Sequence, residues 1–251
     1  MLNSIIIFIF GSVIGSFLNV CIHRIPKEES IVFPSSSCVT CGHRLTFLDL
    51  IPIFSWIFLK GKCRYCGENI SKQYPIIELL TGVLFIFLYL EFGFTIQLLK
   101  YIVLTSILIV IAAIDIKTQD VYDSTIIILG ISGIIFIIIE LFLYNHIDFI
   151  GILFGVLVPV FILSIFSYFG VMGWGDVEII GCIGLFLFGI LNILNLLISI
   201  FTGGICASVL IIFKRRSKNQ TMAFGQFISI SSYITLLFGS EILKWYLDVI
   251  V

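Results

Sequence analysis

Charge is scarce in this sequence. Only 12% of its 251 residues are Asp, Glu, Lys or Arg, against about 25% in an ordinary soluble domain. Hydrophobic residues make up 60%. That balance excludes a conventional soluble globule and points to a polytopic helical membrane protein. The chain also lacks an internal repeat and a low-complexity tail. Its first apolar run follows Met1-Leu2-Asn3 with no basic n-region and no small-residue cleavage site. It is therefore expected to stay as a span and not to be removed as a signal peptide. No glycine-rich fingerprint follows a strand pattern, so no nucleotide cradle is readable. The net charge of −1 says nothing about partners. Nucleic acid is not expected to be one.

What is present is a series of long apolar runs. The first covers roughly Ser4 to Ile22. A polar segment, residues 23–75, follows; within it Leu48 to Leu59 is apolar but too short to span, since a span needs about 20 residues. That stretch either lies at the membrane interface or packs as a small core. Further runs lie near Ile76–Leu90, Ile96–Ile114, Thr125–Tyr144, Phe149–Phe169, Val177–Gly189, Ile190–Phe213 and Phe224–Tyr246. The expectation is an all-α bundle of about eight spans: a first span (1–22), a polar loop (23–75) and a seven-span core (76–251). Pro159 is expected to kink its span. Gly11 and Gly15 have the small-xxx-small spacing that allows close helix contact, although ordinary glycine use in membrane helices explains them equally well.

Eight spans permit an orientation test. With the polar loop in the cytoplasm and sides alternating, Arg24, Lys27, Arg44, Lys60, Lys62, Arg64, Lys72, Lys117, Lys214, Arg215, Arg216 and Lys218 fall inside. Only Lys100 and Lys244 of the 14 basic residues fall near the outer face, in accord with the positive-inside rule. Asp115 and Asp176 then both lie at cytoplasmic helix ends. His146 falls in an outer loop and is given no role.

The polar loop carries Cys38-Val39-Thr40-Cys41-Gly42 and Cys63-Arg64-Tyr65-Cys66-Gly67, two C-x2-C knuckles separated by 21 residues. Two intervening residues let both thiolates of a knuckle reach one ion. Four thiolates close a tetrahedral zinc site with no open position, which makes it structural. Disulfides or a thiol redox centre are the other possibilities, and a cytoplasmic loop disfavours stable disulfides. Cys21, Cys182 and Cys206 sit in apolar runs as packing residues. His23 and His43 lie near the loop but are not needed as ligands.

Asp115 ends the third span and Asp176 opens the sixth, inside Gly173-Trp174-Gly175-Asp176. A carboxylate near hydrocarbon is costly. Two held face to face share a proton, so one can activate water while the other protonates a scissile carbonyl. Equally, each aspartate simply terminates a helix and faces solvent, with Asp176 serving as an N-cap. Asp120 and Asp123 follow Asp115 and read as solvated, Asp123 being the nearer to a role.

Taken together these residues resemble the bacterial type IV prepilin peptidases. Gly11-Ser12-Val13-Ile14-Gly15-Ser16-Phe17-Leu18-Asn19-Val20, continuing to Arg24-Ile25-Pro26, is similar to the opening signature of that family. The knuckles match the loop of its bifunctional members, and Tyr74-Pro75-Ile76-Ile77-Glu78-Leu79 resembles its Y-P-x-x-E-L segment. Asp115 stands in the place of the first catalytic aspartate, and Gly173-Trp174-Gly175-Asp176 matches G-x-G-D. The resemblance implies an intramembrane aspartyl peptidase of the bacterial cytoplasmic membrane, with loop and active site on the cytoplasmic side. Its substrates would be type IV prepilins and pseudopilins, cut after a glycine behind a short basic leader. Bifunctional members then methylate the new N-terminus with S-adenosylmethionine. By the same resemblance Asp115 and Asp176 are the catalytic pair, supported by Gly173 and Gly175, and Cys38, Cys41, Cys63 and Cys66 hold zinc.

The basic loop does not attract a basic leader, which makes Glu78 a candidate for recognition and Glu28 and Glu29 weaker ones. Glu78 is equally a helix-start carboxylate favoured by the dipole. The sequence departs from the family pattern at Val121-Tyr122-Asp123 (usually Pro-Asp), at Glu178 (often Lys) and at Lys72-Gln73 (often with Arg). Two other functions fit parts of the pattern: a membrane thiol oxidoreductase working through the C-x2-C pairs, and a transporter using the carboxylates as a proton relay.

Overall fold

A computed structural model of the chain describes residues 2–145, 148–213 and 223–250. His146, Lys214, Arg215, Arg216 and Lys218 lie outside the described residues. In chain order the helices are α1 (Leu2–Arg24), α2 (Phe54–Phe58), α3 (Gln73–Phe92), α4 (Ile96–Thr118), α5 (Asp123–Tyr144), α6 (Phe149–Tyr168), α7 (Trp174–Ile183), α8 (Ile190–Ile212) and α9 (Gly225–Ile250). Hydrocarbon offers no partner to backbone N–H and C=O groups, so each spanning segment must satisfy its own. Seven of these helices, all but α2 and α7, are long and apolar enough to cross a membrane. Ile127, Ile131, Ile134 and Ile138 of α5 and Phe161 of α6 point their side chains outward, as lipid-facing residues do. Among the described residues there is no strand, only the bridge pairs Ser37 with Arg44 and Lys62 with Asn69.

The expected span Val177–Gly189 takes a different form. Its helix, α7, has ten residues and a length of about 15 Å, half the hydrocarbon thickness. The chain then turns through 184–189. Helix and turn together lie along the whole of α6. At one end Ser167 Oγ donates to the Gly173 carbonyl at 3.2 Å; at the other, Gly189 N–H donates to Gly151 O at 2.8 Å. Between them Gly184 packs so tightly on Gly155 that a Cβ at Gly184 would stand 2.7 Å from the Gly155 carbonyl. The described residues therefore hold seven candidate spans, with α7 a half-helix finished by a turn.

The chain divides into two compact units, Met1–Val110 and Ile111–Val251, with the division inside α4. In the first, α1 lies on α3. A Cβ at Gly11 would be 2.9 Å from Gly82 Cα, and one at Gly15 would be 2.8 Å from Glu78 Cα. The small-residue spacing is thus the contact surface between these helices. Asn19, buried on α1, donates to the Gly15 and Tyr74 carbonyls at 3.2 and 3.1 Å. The short apolar stretch is not a core of its own: Phe47, Leu48, Phe54, Ile57 and Phe58 are all exposed.

The second unit is stitched by polar groups in its interior. Pro159 has no N–H, which leaves the Gly155 carbonyl without its helical donor. Asn192 of α8 supplies one, at 2.7 Å, and also binds the Ile180 carbonyl of α7 at 3.0 Å. Asn195 continues the chain of bonds, donating to Asn192 Oδ1 at 3.1 Å and to Ser232 Oγ of α9 at 3.0 Å, and accepting from Ser231 Oγ at 2.6 Å. Asn192, Asn195, Ser231 and Ser232 are all fully buried. One network thereby fixes α6, α7, α8 and α9 to each other.

Candidate active site and metal centre

Asp115 comes from the last turn of α4 and Asp176 from the first turn of α7. They are 2% and 7% exposed, so neither is a solvent-facing helix end. Nor is Asp176 an N-cap: that position is Gly173, and Asp176 is the third residue of the helix. Two contacts bring the elements together. A Cβ at Gly175 would stand 2.7 Å from Val121 Cβ, so the small residue lets α7 begin against the segment that follows α4. The start of α9 then seals the arrangement. Asp115 Oδ2 accepts the Gln226 N–H at 2.9 Å. At Gly225 a Cβ would meet Asp115 Oδ2 at 3.0 Å and Ile179 Cδ1, three residues beyond Asp176, at 3.4 Å.

The electrostatics follow from this burial. The Asp176 carboxyl is pushed up to about 7, first by burial and second by the charge of Asp115, with the Gly173 backbone working in the opposite direction. A like-charged partner and poor solvation both favour the neutral acid. Glu178 does not join the pair, being exposed, and Asp123 is likewise exposed at the start of α5. Gly225 and Gln226 were not legible as site residues. Their contact with Asp115 closes a loop of 111 residues, and nothing local marks it.

The knuckles of the first unit converge on one point. The four Sγ atoms of Cys38, Cys41, Cys63 and Cys66 lie within 4.8 Å of one another, and Cys38 and Cys66 are 3.8 Å apart. A zinc–sulfur bond of about 2.3 Å puts tetrahedral sulfurs about 3.8 Å apart. Each knuckle closes on its own backbone: Cys38 N–H donates to His43 O and Gly42 N–H to Cys38 O, Cys63 N–H to Glu68 O and Gly67 N–H to Cys63 O, all at 2.8–2.9 Å. Gly42 and Gly67 have φ of 69° and 73°, the left-handed conformation that glycine adopts without strain. The donor set and geometry fit a metal ion.

Asp49, which the sequence left without a role, clasps the two knuckles. Its carboxylate accepts from Thr46 N–H and Oγ1 (3.0 and 2.7 Å), Arg64 Nε (2.7 Å) and Tyr65 OH (3.1 Å). Burial alone would raise this carboxyl, yet these donors hold it down at about 2. His43 packs on Tyr65 with ring centroids 3.6 Å apart.

Glu78 has a local partner in the first unit. Its Oε2 accepts the Ile53 N–H at 2.7 Å, and the Ser16 hydroxyl also binds it. Ile53 sits at φ 64°, a region that β-branched residues avoid. The carboxylate therefore braces a strained turn.

By fold and site the chain is a multi-pass helical membrane protein with a buried carboxylate pair and a four-cysteine cluster. Comparison with known proteins carries this further. Residues 9–92 match the bacterial peptidase A24 N-terminal domain, and residues 102–208 match the type IV leader peptidase family. The prepilin leader peptidase/N-methyltransferase of Bacillus subtilis (strain 168) is 32% identical over 243 residues, covering 96% of this chain and 97% of its own length. Relatives of the same name from Aeromonas salmonicida (strain A449) and Pseudomonas aeruginosa PAO1 are each 29% identical. They cover 98% and 96% of this chain and 94% and 92% of their own. No solved structure matches significantly. The chain belongs to the type IV leader peptidase family.

Proposed function

We propose that this protein removes the leader peptide of type IV prepilins and pseudopilins with Asp115 and Asp176, and then methylates the new N-terminus. The observation that carries the reading is the burial of two carboxylates, from α4 and α7, with the charge of Asp115 felt at Asp176 and the N-terminus of α9 bonded to Asp115. Hydrolysis of an amide by such a pair needs one proton between them. One carboxylate takes a proton from water as its oxygen adds to the scissile carbonyl carbon. The other protonates the carbonyl oxygen. Collapse of the tetrahedral species returns a proton to the leaving amine and breaks the C–N bond. Gly175 lets α7 start against the segment after α4, and Gly173 is the N-cap of that helix.

Cys38, Cys41, Cys63 and Cys66 hold zinc in this reading. The metal, when bound, cross-links the two knuckles and supplies no open position for chemistry. The convergence of four sulfurs on one centre supports a metal site over two independent redox pairs. S-adenosylmethionine is the methyl donor that the family resemblance implies, and relatives are named N-methyltransferases. No strand-and-glycine cradle exists among the described residues, so no residue is assigned to it. The cysteine loop and the carboxylates face the cytoplasm, as the distribution of basic residues supports, in a bacterial cytoplasmic membrane. Glu78 supports the loop turn through its bond to Ile53.

The test is incubation of the purified protein with a prepilin, with and without S-adenosylmethionine, followed by mass spectrometry of the new N-terminus. The expected product lacks its leader and gains one methyl mass only when the donor is present. An intact prepilin would overturn the peptidase reading; an unmethylated product with donor present would overturn the second activity.

A further inference from the structure

We propose that the apolar stretch before the second knuckle is a lipid-docking platform. Phe54, Ile57 and Phe58 of α2, with Phe47 and Leu48 of the turn that precedes it, enter the acyl boundary of the leaflet where α1 ends and α3 begins. Lys60 and Lys62 hold anionic headgroups beside them. The proposal needs only that α1 and α3 span a membrane, so it stands or falls apart from the peptidase reading. Helical spacing sets the face. Positions 54, 57 and 58 are i, i+3 and i+4, neighbours on a helix surface, and all three side chains are exposed, Phe58 at 80%. Trp56 points the other way: its Nε1 donates to the Ile70 carbonyl at 3.1 Å, and a Cβ at Gly61 would stand 2.8 Å from its ring. The 3-10 turn Phe47–Leu50 contacts α2 and adds Phe47 and Leu48, both exposed. Five large apolar side chains on two touching elements mark a surface that something apolar covers.

Depth identifies the cover as lipid. Glu78 is the sixth residue of α3, about 7.5 Å along the axis from the first. Its Oε2 accepts the Ile53 N–H at 2.7 Å, and Ile53 directly precedes α2. At this level of α3 the side chains of Ile76, Leu79 and Leu80 are exposed, as lipid-facing residues are. Ser16, which also binds Glu78, lies about two turns before the end of α1, next to the exposed Phe17. The platform therefore begins level with the lipid-facing surface of α1 and α3, not above it. A backbone N–H left free at that level would be costly. The Glu78 carboxylate satisfies that of Ile53, and the Ser55, Ile57, Leu59 and Gly61 N–H groups bond to the Ile51, Ile53, Ser55 and Trp56 carbonyls at 2.8–3.1 Å.

Charge selects the kind of lipid. The carboxylates between residues 45 and 72 are Asp49, bonded to Arg64 and Tyr65, and Glu68. Lys60, Lys62 and Lys72 are exposed, and among the described residues the ion pair of this segment is Arg64 with Asp49. Ammonium groups left to solvent beside an apolar face fit an anionic bilayer surface. Cys63 follows Lys62 directly, so the cysteine cluster rests on the platform and is held at the bilayer surface with it.

The experiment is fluorine NMR of the full chain in nanodiscs of phosphatidylglycerol and phosphatidylcholine in equal parts, without prepilin, with para-trifluoromethylphenylalanine in place of the exposed Phe58. Lipid carrying a nitroxide near the top of its acyl chain is expected to broaden the signal several-fold, and a water-soluble gadolinium chelate to broaden it little. Broadening by the chelate at least as strong as by the nitroxide puts the face in water and overturns the proposal. Broadening by neither, the sign of a second copy or another protein on the face, overturns it too. The headgroup role has its own readout. A nitroxide carried on phosphatidylglycerol is expected to act on the order of 5-fold more strongly than the same fraction carried on phosphatidylcholine, the scale of one lysine's attraction to anionic lipid. Lys60→Gln combined with Lys62→Gln is expected to remove that preference while the acyl-chain broadening stays. Equal broadening by the two lipids in the parent, or a preference that survives in the double variant, would overturn the role of the two lysines.

Discussion

Cys41 and Cys66 of Met1–Val110 are exposed, whereas Asp115 and Asp176 of Ile111–Val251 are buried. The cysteine cluster is assembled from two tight turns, each closed by bonds between residues a few positions apart, with the short helix α2 in the stretch between them. The carboxylate pair is assembled from α4, α7 and the start of α9, and a polar network across four helices holds α7 in place. An exposed loop with few buried apolar contacts gains little to offset its ordering entropy, and its four sulfurs lie where one metal ion could cross-link it. The second site sits inside a packed bundle, where an unpaired polar group is costly, and depends on every donor finding an acceptor.

Removing the metal should break the comparison most strongly. Structural zinc contributes on the order of 10 kcal/mol to small Cys-ligated folds. Chelation, or Cys63→Ser, should abolish bound metal and open the loop to trypsin at Lys60, Lys62 and Arg64, read by mass spectrometry. The protease resistance of residues 123–212 should not change; if it does, the two sites are not independent in the way described.

Next in size, Asp115→Asn and Asp176→Asn should each lower prepilin cleavage by roughly 10³-fold, the scale of lost acid–base catalysis, without altering metal content. The same pair sets a pH window. Asp176 holds its proton up to about 7 because burial, and then the charge of Asp115, disfavour its anion. Cleavage should therefore fall as pH rises above about 7 and the shared proton is lost, and fall again in acid when the pair gains a second proton. A rate still climbing through pH 9 would contradict this.

Asn192→Leu sharpens the contrast at a smaller scale. It leaves the Gly155 carbonyl without a donor, takes one of two from the Ile180 carbonyl and should cost about 1–3 kcal/mol, seen as a lower melting temperature in detergent. Combining it with Pro159→Ala, which restores an N–H to Gly155 O, should return part of that loss. The smallest effect expected is at the clasp. Asp49→Asn should cost about 1 kcal/mol of loop stability at neutral pH. The Asp49 carboxyl is depressed to about 2 in the folded loop from about 3.9 unfolded. Its contribution is therefore full above the unfolded value and is lost as pH falls toward 2, which amide exchange of the loop can follow.

Most of the spans were legible because length and hydropathy are properties of a segment by itself. Ile96–Ile114 and Thr125–Tyr144 differ from α4 and α5 by a few residues at the ends. The knuckles were legible for a similar reason, since C-x2-C is a local geometry. The half-helix was not. Residues 184–189 have the composition of a span, and only packing of Gly184 on Gly155 and the bond from Gly189 to Gly151 show where the helix stops. Asn192 and Asn195 likewise read as a soft boundary between runs, not as the donors that bind α6, α7 and α9 together.

Sequence alone determined that this chain enters a membrane as helices, where its sulfurs gather and which two aspartates are out of place in an apolar setting, because hydropathy, spacing and the cost of a buried charge are read residue by residue. Tertiary structure decided that those aspartates are both buried, that Gly225 and the Gln226 N–H lie against one of them, and that Asp49 and Glu78 bond to the loop. These are contacts between segments distant in the chain, and no local pattern encodes which backbone donor a buried carboxylate will find.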